Sequence, residues 1–242
     1  RPLIVHSTQG ENITASVVAF EGEQQTTVGT RARRMIDDPN VASRFKREMG
    51  TDKVYSTSWG KYTPTQLSTM VLRKLKAETE KVARSTIDAA VVTIPANFSN
   101  EAREATLAAA KAAGLPVQHI INEPTAAALY YAFSAGTDLA GLYAVFDLGG
   151  GTFDVTIIRV NGKNIEVLAS EGVNRLGGDD FDNKLFELVR SKYARLSGGE
   201  LESEGFGRLE AEELKKDLSL KQIDRRRVNG TAGRQDVQIT RE

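Results

Sequence analysis

Phe146-Asp147-Leu148-Gly149-Gly150-Gly151-Thr152-Phe153-Asp154 is the stretch on which the reading of this chain turns. Apolar runs flank it, Leu142 to Phe146 before and Phe153 to Val160 after, and each reads as a β-strand. Three consecutive glycines let the backbone reverse without a Cβ clash and present successive N–H groups. Such amides form an anion cradle, and the carboxylates of Asp147 and Asp154 stand on either side of it. The alternative is an ordinary glycine turn with acids beside it. A triplet set between two apolar strands with an acid on each flank favours a site for phosphates that arrive with a divalent cation.

Outward from this stretch the chain alternates strand and helix signals. Downstream, Asn161-Gly162 between Val155–Val160 and Ile165–Ala169 is a hairpin signal. Leu176-Gly177-Gly178-Asp179-Asp180 then leads into a helix from Phe181 to Arg195, broken at Ser197-Gly198-Gly199. A second helix runs from Leu209 to Leu218 with Glu212, Glu213, Lys215 and Lys216 on its outside, and Val237 to Thr240 reads as a last strand. Upstream, Ile87–Ile94 reads as a buried strand closed by Pro95. Ser99 caps a helix from Asn100 to Ala113, which Gly114 ends. Val117–Ile121 is a further strand, and Glu123-Pro124 opens a helix through Tyr130. This order predicts an α/β layer with parallel neighbours. Glu123 falls at a strand-to-helix turn, where open α/β sheets place ligand contacts.

Nearer the start, Leu3–Val5, Ser16–Phe20 and Thr26–Val28 read as short strands and Thr30–Met35 as helical. Val41–Met49 also reads as helical, ending at Gly50, and its basic residues Arg44, Lys46 and Arg47 read by themselves as a solvated helix end. Thr63, Pro64 and Gln66 form a capping box before an apolar stripe of Leu67, Met70, Val71, Leu75 and Val82.

Composition narrows the function classes. The 242 residues suffice for one large or two small domains, and 32 basic residues balance 32 acidic ones, so no overall attraction to nucleic acid is implied. The absence of cysteine removes disulfides and thiolate chemistry and fits a cytoplasmic location. No apolar run approaches the roughly 20 residues of a bilayer span, so no membrane partner is expected. Walker-type, dinucleotide-fold, kinase and serine-elbow motifs do not occur. His6 and His119 lack metal-site spacing.

Taken together, Asp147–Asp154 resembles the second phosphate loop of the seventy-kilodalton heat-shock chaperones. Ile121–Ala128 is similar to their connecting motif, and Leu176–Asp182 to a third block. Val92–Phe98 and Lys46–Gly50 match in the same order, and the short stretch from Gly50 to Tyr62 resembles the DnaK-type forms with a reduced first-lobe subdomain. The resemblance runs from about Val17 to at least Ser219 and implies an actin-like, ribonuclease H-like α/β ATPase fold, with two lobes around a nucleotide cleft. The expected division is 1–141 for the first lobe and 142–242 for the second.

Carried over position by position, the resemblance makes this an ATPase that uses ATP/ADP and Mg²⁺. Gly149, Gly150, Gly151 and Thr152 would hold the β- and γ-phosphates. Asp147 and Asp154 would orient the waters around Mg²⁺ and the attacking water, with Glu123 beside them, and Lys46 would bring positive charge to the γ-phosphate. Phosphoryl transfer depends mainly on positioning and charge neutralisation, which these residue types supply. Gly177, Gly178, Glu212, Lys215, Lys216 and Ser219 complete the expected nucleotide contacts. Pro95 and Arg103 match positions that relay nucleotide state to a substrate-binding domain. Implied partners are unfolded polypeptides, bound through a domain outside these residues, a J-domain co-chaperone and a nucleotide-exchange factor.

Departures from the family pattern are as definite. No first phosphate loop of the Asp-Leu-Gly-Thr type occurs, nor the glycine-rich second half of the adenosine pocket. The chain is therefore expected to be a piece of a longer protein, truncated at both ends and weak as an ATPase by itself. Asn97 stands where the family usually has an aromatic, and His119 where DnaK-type forms use arginine for J-domain partners. The other expectations to weigh are a nucleotide-responsive binding module without hydrolysis, and another actin-like ATPase or kinase.

Overall fold

The computed structural model describes residues 3–8, 10–136, 139–162, 164–202 and 205–242. They fall into two compact units, Arg1–Asp147 with Asp154–Val173, and Leu148–Phe153 with Asn174–Glu242.

In the first unit, β1 (Val17–Phe20) is buried along its whole length, between β2 (Thr26–Val28) and β3 (Val41–Ser43) in an antiparallel sheet. Val18 lies opposite Val28 on one side and Ala42 on the other. A four-residue run of small and β-branched apolar side chains suits such a central strand, which is covered on both faces. Helix α1 (Thr30–Arg33) closes one face by packing Ala32 against Val17 and Ala19. Helix α2 (Pro64–Ala83) closes the other with Leu67 and Val71, after a hairpin of β4 (Tyr55–Thr57) and β5 (Gly60–Tyr62). The expected capping box is present: Thr63 Oγ1 accepts from the Gln66 amide at 3.2 Å, and Gln66 Oε1 accepts from the Thr63 amide at 2.8 Å. The apolar stripe is buried only along its first half, for Leu75 and Val82 are exposed.

Strands β6 (Ala90–Ile94) and β7 (Val117–Asn122) are parallel neighbours joined through α3 (Asn100–Ala112), as the alternation predicts. Ser99 caps α3 by accepting from the Ala102 amide. Helix α4 (Glu123–Ala135) follows, then β8 (Ala140–Leu148), β9 (Thr152–Asn161) and β10 (Asn164–Asn174), in the order β10-β9-β8. Ile158 and Val160 of β9 are buried with Ala128 of α4 and Leu139. The second unit packs α5 (Gly178–Ser197) and α6 (Arg208–Leu220) against an antiparallel hairpin of β11 (Ile223–Gly230) and β12 (Gly233–Thr240). Its core holds Val189, Tyr193, Leu214, Val228, Val237 and Ile239. The Tyr193 hydroxyl donates to the Gly233 carbonyl at 2.7 Å, which ties α5 to the hairpin turn.

Three sequence expectations change. Leu3–Val5 forms no strand and is exposed, because nothing pairs with it among the described residues. Val41–Met49 is not a helix: Val41–Ser43 pairs with β1, and a single 3-10 turn, Phe45–Glu48, follows Arg44 at φ 62°. β6 is not buried throughout, since its described sheet has only two strands and Val91 remains 57% exposed. The hairpin at Asn161-Gly162 forms with Gly162 at φ 59°, while Lys163 lies outside the described residues.

Candidate functional site

The glycine triplet belongs to the second unit, and its placement there is a matter of backbone against backbone. The Gly149 amide donates to the Thr152 carbonyl at 3.0 Å, closing the turn between β8 and β9. The other glycine block then docks onto it: the Gly178 amide donates to the Gly149 carbonyl at 3.0 Å and the Asp179 amide to the Gly150 carbonyl at 2.9 Å. Such an approach excludes a side chain. A Cβ on Gly177 would lie 2.6 Å from the carbonyl carbon and oxygen of Gly150 and from the Gly151 nitrogen. Gly149, Gly150, Gly151, Gly177 and Gly178 are thus one assembly, although about 25 residues separate the two blocks.

Helix α6 reaches the same assembly. Lys215 donates to the Gly178 carbonyl at 2.9 Å and pairs with Asp182 at 2.7 Å. Burial pushes the Asp182 carboxyl above its ordinary value, and the Lys215 ammonium opposes the rise. Glu212 pairs with Lys216 at 2.9 Å one turn apart, leaving Lys216 exposed. The Ser219 hydroxyl donates back to the Lys215 carbonyl at 3.1 Å. Lys215, Ser219, Phe181, Lys184 and Arg241 help line a groove of about 630 Å³ in this unit. That size suits a ligand of drug-like dimensions.

In the first unit, Lys46 and Glu123 meet. The Lys46 ammonium lies 2.7 Å from Glu123 Oε1, across 77 positions of sequence. Lys46 sits on the 3-10 turn, which Phe45 anchors by burying its ring in the core of Phe20, Leu67 and Val71. Behind the turn Gly50, at φ 78°, backs onto the first turn of α3, where a Cβ would stand 2.5 Å from the Ala102 nitrogen. Glu123 is placed by the β7-to-α4 junction, with Pro124 in the first helical turn. A pairing of side chains from so far apart escapes any reading of local pattern, which sees a solvated basic helix end.

Asp147 is exposed near the end of β8, while Asp154 on β9 is 7% exposed and accepts from the Asn97 side-chain amide at 2.7 Å. Gly172 on β10 leaves room for that bond; a Cβ there would lie 2.2 Å from Asp154 Oδ1 and 2.3 Å from Asn97 Nδ2. Sequence reasoning assigns no role to Gly172 or Asp182. A glycine inside a strand pattern is the one available signal, since it marks close approach of other groups. Pro95 is buried at the end of β6, Arg103 is half-buried on α3, and His119 is exposed on β7.

As to a metal, no cluster of three or more histidine, aspartate or glutamate side chains is assembled among the described residues. Asp147 and Asp154 are the hard oxygen donors at the stretch, and two carboxylates suit a cation that keeps most of its water. No helix of the described residues is long and apolar enough to cross a membrane. The model of one protein family, described as Hsp70 protein, matches residues 52–242. The match takes in Glu123, Asp147, Asp154, both glycine blocks and α6, and begins after Lys46.

Proposed function

The chain belongs to the Hsp70 family, and from that premise we propose that it binds and hydrolyses ATP and passes its nucleotide state to a polypeptide-binding partner domain. Membership brings the actin-like ATPase fold and the general assignment of a chaperone nucleotide-binding domain. The finer reading is ours: hydrolysis, the residues that perform it, and the coupling to release of unfolded polypeptide.

The observation that carries the reading is the 2.7 Å pair of Lys46 and Glu123. Both roles came from a resemblance in separate motifs, and the two side chains stand together. In the proposed roles, Lys46 offers its ammonium to the γ-phosphate, and Glu123 holds that ammonium and a neighbouring water. The amides of Gly150, Gly151 and Thr152 receive the β- and γ-phosphates, while the Gly149 amide, held by the Thr152 carbonyl, keeps the turn closed. Asp147 and Asp154 orient water, at the bound cation and in line for attack. Mg²⁺, when bound with the nucleotide, neutralises charge on the phosphates. The α6 face of Glu212, Lys215, Lys216 and Ser219 takes the nucleoside, where a lysine stem can offer apolar contact to the base. A cytoplasmic chaperone of this kind works with a J-domain protein and an exchange factor, and His119 marks where the first of these contacts differs.

Single-turnover cleavage of Mg²⁺–ATP by the complete protein tests this. Asp147→Asn and Glu123→Gln are expected to slow cleavage by about 100-fold while fluorescent-ATP affinity changes little, because each removes an interaction made mainly in the transition state. Equal rates in wild type and Asp147→Asn would sink the hydrolytic assignment and leave a nucleotide-responsive binding module.

A further inference from the structure

We propose that Asn97 is a positioning residue for Asp154, fixing the orientation of that carboxylate before any ligand arrives. The proposal rests on the reading of Asp154 as an acid of the hydrolytic site.

The geometry has three parts. Asp154 is 7% exposed, and a carboxylate so far removed from water needs donors close by. An ionised carboxylate only accepts, so the NH₂ half of the Asn97 amide is the half that faces it, at 2.7 Å. Asn97 itself is presented by a short, stiff turn between β6 and α3. Buried Pro95 fixes one end of that turn, the Phe98 amide closes it onto the Pro95 carbonyl at 3.3 Å, and the Ser99 cap fixes the other. A short side chain on a fixed turn loses little freedom when it makes its bond. The third part is Gly172, whose missing side chain is the space the bond occupies: a Cβ there would fall within 2.3 Å of both bonded atoms. The turn before α3 and the neighbouring strands β9 and β10 thus converge on one oxygen of one carboxylate. Oriented this way, Asp154 begins in the geometry that an attacking water requires, so reorganisation is avoided at the reacting stage.

The test uses the complete protein with two readouts. Without nucleotide, the Asn97 side-chain amide is expected to give a proton signal displaced downfield and slow to exchange, which Asp154→Ala and Gly172→Ala abolish. In single-turnover cleavage, Asn97→Asp keeps the shape but cannot donate, and Gly172→Ala wedges the pair apart while leaving both partners in place. Both are expected to slow cleavage by about tenfold with ATP affinity unchanged, the signature of lost transition-state positioning. Wild-type cleavage in Asn97→Asp and Gly172→Ala, beside a slow Asp154→Ala, overturns this proposal alone. A wild-type rate in Asp154→Ala overturns it together with the reading of the site. An Asn97 amide signal indifferent to Asp154→Ala overturns it whatever the rates.

Discussion

The two units hold their candidate residues by opposite means. In the second, glycine block meets glycine block and the bonds run between main-chain groups, Gly178 to Gly149 and Asp179 to Gly150. In the first, the bonds run between side chains, Lys46 to Glu123 and Asn97 to Asp154. A site built from backbone is encoded by what is missing at Gly177, namely a Cβ, and is sensitive to volume. A site built from side chains is encoded mainly by charge and donor chemistry and is sensitive to identity at constant volume, with volume counting as well at Gly172. Stability and chemistry should therefore separate differently in the two.

The largest effect on stability is expected at Gly177→Ala. The added carbon meets main-chain atoms of Gly150 and Gly151 at 2.6 Å, which cannot swing aside as a side chain would. Overpacking and the loss of two backbone bonds together cost about 3 kcal/mol. Urea unfolding should show that loss, and the Gly178 and Asp179 amides should lose hydrogen-exchange protection while the Lys46 turn keeps its own. Gly198→Ala is the control, with nothing within 4 Å of its Cβ, and carries only the cost of its φ of 72°, about 1 kcal/mol. Equal losses in the two variants would remove the claim that the blocks are held by exclusion of volume.

Lys215→Met comes next, since it cuts a side-chain support under the backbone assembly. The Gly178 carbonyl loses a donor and Asp182, whose side chain is 10% exposed, loses its cation. Lys215 is partly exposed, so the expected cost at neutral pH is about 1–2 kcal/mol rather than that of a fully buried pair. The pH dependence has a definite sign. Burial already holds the folded Asp182 carboxyl above its usual 3.8. Its contribution is fully present below 3.8 and is lost as pH rises through the folded value. Removing Lys215 lifts the folded value further and widens that window. The stability gap between variant and wild type should thus narrow as pH falls from 7 towards 4. A gap constant with pH would mean that Asp182 is not the group left without its counter-charge.

The contrast also explains what was legible in the sequence. Local chemistry was: the Thr63–Gln66 box, the Ser99 cap, the Asn161-Gly162 turn and the glycine triplet all act within a few residues. Long-range pairing was not. Val41–Ser43 reads as helix until β1 is available to pair with it, and the basic residues after it then belong to a 3-10 turn. β11 escapes notice because Arg225, Arg226 and Arg227 mask its alternation. Arg226 is half-buried against Asp217 and Asp224, Arg227 bonds Asp236 from outside, and Val228 is buried. Of the site, the glycine blocks and acids are visible as motifs, but that Gly177 touches Gly150, or Gly172 clears space for Asn97, is a property of packing alone.

The smallest effect on stability is expected at Lys46→Met, and it is the sharpest test of the comparison. The Lys46 side chain is 57% exposed and that of Glu123 is 22% exposed, so their pair is screened by water and ions. Such exposed pairs contribute little, and methionine keeps most of the lysine stem's packing, so unfolding should shift by less than about 0.5 kcal/mol. Cleavage should nonetheless fall by about 100-fold in a single turnover, because the charge it removes is needed where negative charge develops. A variant that unfolds more easily by about 2 kcal/mol, with cleavage slowed only in proportion to its unfolded fraction, would make Lys46 a structural residue. Both units would then hold their residues for stability, and the distinction between a volume-encoded and a charge-encoded half would fail. An unchanged stability with lost cleavage places the chemistry in the side chains of the first unit and leaves the glycine blocks of the second to hold shape.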